Sequence, residues 1–119
     1  MALKLLVATR KGLFTLAPGT GESSPWIIEG SDFLADNVSL VLHDKRSGRL
    51  YAALDHGHFG VKLHASEGPG APWTELAAPA YPEKPEDAPD KDMWGNPLPW
   101  STVRVWALET GGPAQDGVL

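Results

Sequence analysis

Glycine and proline cut residues 50–76 into short apolar runs, and that cutting leaves room only for strands. The runs are Leu-Tyr-Ala-Ala-Leu at 50–54, Val-Lys-Leu-His-Ala at 61–65 and Trp-Thr-Glu-Leu at 73–76. None reaches the ten or so residues a helix needs. Between them lie Asp55-His56-Gly57-His58-Phe59-Gly60 and Ser66-Glu67-Gly68-Pro69-Gly70-Ala71-Pro72. Strands joined by glycine-bearing turns of this length form an antiparallel meander.

The same grammar runs along the rest of the chain. Residues 3–9 and 13–17 read as strands around the turn Arg10-Lys11-Gly12, and Trp26-Ile27-Ile28 opens a third after a Pro/Gly/Ser loop. Residues 30–37 read as a polar loop, 38–43 as a strand closed by Asp44-Lys45-Arg46-Ser47-Gly48, and 103–109 as a last strand. Trp106, which alternates with Val103 and Val105 there, is expected in the core. The order strand, turn, strand, turn, Trp-led strand occurs twice, and the second copy has one extra strand in front. The expectation is an all-β fold of antiparallel four-stranded meanders. The segment 79–100 is a proline-rich connection, and its five acids against two lysines between 83 and 92 keep it in water.

Composition removes several functions. A net charge of −5 favours neither nucleic acid nor an anionic membrane as partner. Without cysteine there is no disulfide, no thiolate metal site and no thiol nucleophile, which fits a cytoplasmic location. The first residues carry no signal-peptide pattern, and no apolar run approaches the ~20 residues of a membrane span.

Alternate turns of a meander point to opposite ends of the sheet. That sets Arg10, Asp55, His56 and His58 at one end, away from 66–72. His56 and His58 are two apart and would share a side of an extended backbone with Asp55 nearby, a spacing that suits a metal. No third ligand is assured, so neither metal nor cofactor is expected; turn histidines that cap backbone groups account for the pair. Trp94 and Trp100 flank Gly95-Asn96-Pro97, where exposed rings stack on a sugar or simply anchor the loop. The ligand class this end suits is a carbohydrate or small anion.

Ser66, Gly70 and Trp73 stand at the spacing of an Asp-box, Ser-x-Asp-x-Gly-x-x-Trp, with Gly68 in place of the Asp. With this hairpin, Leu-Leu-Val-Ala-Thr-Arg-Lys-Gly-Leu-Phe, Arg-Leu-Tyr-Ala-Ala-Leu-Asp-His-Gly-His-Phe-Gly and Val-Arg-Val-Trp-Ala-Leu-Glu resemble the N-terminal portion of bacterial sialidase-like BNR/Asp-box β-propellers, described as glycosyl hydrolase or exo-α-sialidase-like. The resemblance implies a single incomplete propeller domain over 1–119. Residues 1–30 would be a partial first blade, 38–78 a second blade with a degenerate Asp-box and 103–119 the start of a third. About two blades leave the ring open, so self-association through sheet edges is expected, with 3–9 or 103–109 pairing across chains. Sialidase chemistry needs an arginine triad, a Tyr/Glu nucleophile pair and an acid/base Asp. The N-terminal arginine of such enzymes sits in an Arg-Ile-Pro motif, whereas Arg10 stands in Thr-Arg-Lys-Gly, and no complete catalytic set is present. The reading is therefore a non-catalytic fragment or ligand-binding module. The alternatives are a glycosidase-like hydrolase whose catalytic residues lie partly in missing blades or partner chains, and an unrelated small β-protein.

Overall fold

A computed structural model describes residues 3–115 and 117–119, with His58 described in its backbone alone. Seven strands form two antiparallel sheets. The first sheet has the order β1-β2-β3, with β1 Leu5–Thr9, β2 Gly12–Pro18 and β3 Trp26–Asp32. The second has the order β4-β5-β6-β7, with β4 Asn37–His43, β5 Leu50–Asp55, β6 Val61–Ser66 and β7 Trp73–Leu76. Each strand pairs with its sequence neighbour, as short glycine turns require. A single 3₁₀ turn, Gly57–Phe59, joins β5 to β6. No helix among the described residues is long and apolar enough to cross a membrane.

Period two explains the packing. Leu6, Ala8 and Leu13 lie on the face of the first sheet that meets Val38, Ala52 and Leu54 of the second. Ala53 and Leu63 point from the other face of the second sheet to a separate cluster with Val105, bordered by Leu40, Val61 and Leu108. β5 is thus covered on both faces, which is why it reads as five apolar residues in a row rather than an alternation.

Close approach fixes Gly12. Its φ of 135° lies outside the comfortable range of side-chain-bearing residues, and a Cβ there would sit 3.0 Å from the Asp32 carbonyl oxygen. The loop of residues 33–36 packs onto this turn, and Ala35 N–H donates to the Lys11 carbonyl at 3.0 Å. Phe33 and Ala35 both hold positive φ, at 52° and 71°. Two such residues in four mark a loop forced into shape by its surroundings.

The β6–β7 hairpin holds itself without an Asp. Ser66 is buried; its hydroxyl lies 2.8 Å from the Gly68 carbonyl and 3.1 Å from that of Ala71, and accepts the Gly68 N–H at 3.3 Å. Gly70 supplies φ 82°. Trp73 pairs opposite Ser66 and is half-buried, its ring 5.1 Å from that of Phe33.

The β4–β5 turn carries the most buried charge. Asp44 is fully buried and takes two bonds from the Arg46 guanidinium and one from its backbone N–H, each 2.9 Å. The rest of that guanidinium reaches the carbonyls of Gly112, Gln115 and Val118 at 2.9, 2.7 and 3.1 Å. The pair clasps the C-terminal turn to the second sheet. Hydrogen bonding from Arg46 lowers the Asp44 pKa from 3.8 to about 2. A depressed carboxylate contributes stability that is complete above 3.8 and lost as pH falls through about 2. Melts followed by circular dichroism should therefore drop steeply between those values, and Asp44→Asn should flatten that acid limb. An unchanged limb in the variant would remove Asp44 as its source.

Three expectations need correction. Residues 103–109 join no ladder: the segment runs extended over the second sheet and makes side-chain contact instead, because no neighbouring strand offers it a partner. Within it Val105 alone is buried; Val103 is exposed, and Trp106 is 80% exposed rather than in the core. The loop expected at 30–37 is shorter, since Gly30, Ser31 and Asp32 pair with β2 and lie beside Pro69 and Gly70.

Candidate functional site

The two sheets open toward the end that carries the β1–β2 turn, and a cleft of about 310 Å³ lies there. Thr9 and Arg10 line it from the first sheet, Asn37 and Ser39 from β4, and Arg104 and Trp106 from the overlying segment. Arg10 is exposed and has no ion-pair partner among the described residues. Arg104 is engaged on one side only. A terminal nitrogen lies 3.3 Å from the Asp55 carboxylate, its guanidinium carbon stands 5.2 Å from the Trp106 ring centre, and its buried Nε lacks a hydrogen-bond partner among the described residues. Ser39 spans β4 and the overlying segment: its hydroxyl lies 3.2 Å from the Ala53 carbonyl and 3.4 Å from that of Val105.

His56 sits just behind this end. Its Nε2 is 3.3 Å from Asp36, which closes the 33–36 loop against the β5–β6 turn. Asp55 also accepts the Gly57 N–H at 3.3 Å, so it shapes the 3₁₀ turn as well as facing Arg104. The His64 ring packs tilted against Phe33, its centre 5.0 Å away at 60°, and burial lowers its pKa.

Of the expected site residues, Asp55 and His56 stand at one end of the second sheet with Arg10 of the first sheet's turn beside that end across the cleft, and Ser66, Gly70 and Trp73 form the hairpin at the other. The side chain of His58 lies outside the described residues. Among the described residues no three His, Asp or Glu side chains are grouped for a metal. Trp94 does not join the cleft. It is 79% exposed, at a turn where Asp92 accepts the N–H of Trp94 and of Asn96 at 2.9 and 2.8 Å. Those bonds, the Asn96 one foremost, lower the Asp92 pKa. Trp100 lines a different cavity with Tyr81, and its Nε1–H donates to Asp90 at 2.8 Å.

Arg104, Asn37, Ser39 and Trp106 were not expected at a ligand site. One signal was available. Arg104 and Trp106 share a parity opposite to Val105, so a segment that buries Val105 turns both toward open space.

These features define an all-β protein of two stacked antiparallel sheets with a cation-lined cleft at one end. Comparison with protein-family models gives no match, and comparison with curated proteins gives none either.

Proposed function

We propose that the chain is a non-catalytic ligand-binding module of the sialidase-like β-propeller kind, located in the cytoplasm, which takes a small carboxylate-bearing ligand such as an acidic sugar between Arg10 and Arg104. The observation that carries this is the cleft itself: an exposed guanidinium without an ion-pair partner among the described residues and a half-engaged one line the same volume as Asn37 and Ser39. A guanidinium fork matches a carboxylate in shape and charge. Two sheets of three and four strands, with a Ser-Gly-Trp hairpin closing the second, are what two neighbouring blades would present. No nucleic acid or membrane partner enters this reading; copies of the chain do, through the open first sheet.

The hydrolase alternative has two carboxylates at this end, Asp36 and Asp55. Each already has a side chain against it: His56 Nε2 lies 3.3 Å from Asp36, and an Arg104 nitrogen lies 3.3 Å from Asp55. A glycosidase needs a protonated acid and a free partner carboxylate flanking one bond. That favours a binder over an enzyme.

The test is isothermal titration with D-glucuronate and with inorganic phosphate. Arg10→Ala should weaken glucuronate binding roughly ten- to a hundredfold, the weight of a charge-assisted bond pair. Arg10→Lys, which keeps the charge and loses the fork, should fall between. An unchanged affinity in Arg10→Ala, or no binding of either probe to the wild type at millimolar concentration, would reject the reading.

A further inference from the structure

Three cavities lie next to one another along residues 99–108. Trp106 and Arg104 line both the Arg10 cleft and a second cavity of about 410 Å³. Tyr81 lines that second cavity and a third of about 370 Å³, whose floor is Trp100, Pro99 and Ser101. The shared lining residues set the three side by side as one aromatic-lined trough of three stations, Trp106, Tyr81 and Trp100. One face of the Trp106 indole lies against Arg104 and the ring is otherwise open; Tyr81 is 64% exposed and Trp100 41%. A bond from the Thr102 hydroxyl to the Pro79 carbonyl, 2.7 Å long, holds the Tyr81 stretch beside the Trp106 stretch. The Trp100–Asp90 bond fixes the far ring, and Lys84 reaches the carbonyls of Asp90 and Leu98 beneath it.

The two ends differ in their charged groups. Arg10 and Arg104 line one, and at the other the Asp90 carboxylate holds Trp100 with the Lys84 amine bound to the Asp90 and Leu98 carbonyls beside it. From this we infer that the trough binds an oligosaccharide whose acidic unit sits at Arg10 and whose neutral units lie over Trp106, Tyr81 and Trp100. The inference rests on the carboxylate reading of the Arg10 cleft and extends it to a chain of sugars. Sugar rings present apolar C–H faces that stack on open aromatic faces, while their hydroxyls stay in water. A peptide of the same reach would need backbone partners in register, and the segment offers no ladder.

The test uses D-glucuronate alone, xylo-oligosaccharides capped with one glucuronate and rising in length from two units, the matching neutral oligosaccharides, and an acidic peptide of similar span. Titration calorimetry and tryptophan fluorescence read the binding. Affinity should rise with each unit until the trough is filled, by about three- to tenfold per stacked ring. Trp100→Ala and, separately, Tyr81→Ala should abolish the gain from the longest ligands and leave glucuronate binding unchanged; Tyr81→Ala keeps the Trp100–Asp90 bond and so guards against a collapsed loop. If glucuronate binds but affinity is indifferent to length, the trough is refuted and the Arg10 cleft stands. If nothing binds, both readings fail. A peptide that outbinds every oligosaccharide overturns the sugar assignment.

Discussion

Leu54→Ala should lower the unfolding free energy by about 3 kcal/mol in urea titrations, as large-to-small changes in tight cores do. Leu54 is 1% exposed and lies where the two sheets meet, against Leu13 and Val38. The loss falls within the usual range for a buried leucine, because the site has little room to collapse. Ala52 has no rotatable side chain to move into the void, and Leu13 is fully buried on its own sheet. The effect should also reach function. The cleft exists because the first sheet is held against β4, so a loosened Leu54 layer should weaken glucuronate binding even though no ligand atom touches it. Leu63→Ala, in the separate cluster under Val105, should destabilise too, and should disturb the cleft from its Arg104 side rather than through the contact between the sheets. A change under about 1 kcal/mol for Leu54→Ala would mean that the sheets are not joined through this layer.

How far the sequence carried this picture depends on where information is local. The seven strands were legible because glycine turns and β-rich runs act within a few residues: Gly12, Gly48 and Gly70 each sit at positive φ in the turn the sequence announced. The end of the sheet that holds Arg10, Asp55 and His56 followed from turn alternation, which is topology. What failed was longer in range. Val103-Arg104-Val105-Trp106 has the composition of a strand, yet a strand is defined by its neighbour, and composition carries no partner. Trp106 was placed in the core by its hydrophobicity; Arg104 beneath it supplies a cation–π contact that leaves the ring at the surface. The Asp44–Arg46 clasp was read as a mere turn because its meaning lies in carbonyls some 66 to 72 residues away. Two carboxylates and two guanidiniums around the cleft come from four separate segments, so no spacing rule unites them.

The polypeptide should associate in solution, and the first sheet should be the surface through which it does so. A compact chain of 12.7 kDa exposes about 6,200 Å² and has a radius of gyration near 13.5 Å. This one exposes 8601 Å² with a radius of 18.1 Å, extended over 63 × 35 × 22 Å. The surplus of roughly 2,400 Å² matches the area that permanent interfaces bury. It is concentrated in part on the face of the first sheet turned away from the second. Register puts Leu5, Leu16 and Ile28 side by side there, with Val7 opposite Phe14. Leu5, Val7, Trp26 and Ile28 are all exposed. β1 also has a ladder partner on one side only, so its other edge offers unpaired backbone groups. A second copy is the occupant that supplies both an apolar face and a strand edge at equal concentration. Light scattering behind size-exclusion chromatography should give a mass at least twice that of the chain at micromolar concentration. Leu5→Lys with Val7→Lys places charges on the exposed positions of the edge strand and leaves Leu6, Ala8 and Leu13 in the layer that holds the sheets together. That variant should elute as a monomer and melt at a lower temperature, since it forfeits the buried face. Glucuronate binding should survive in it, because Arg10 lies in the cleft between the sheets rather than on this face. A wild-type chain that stays monomeric at high concentration, and melts at high temperature, would show that the open sheet is stable uncovered.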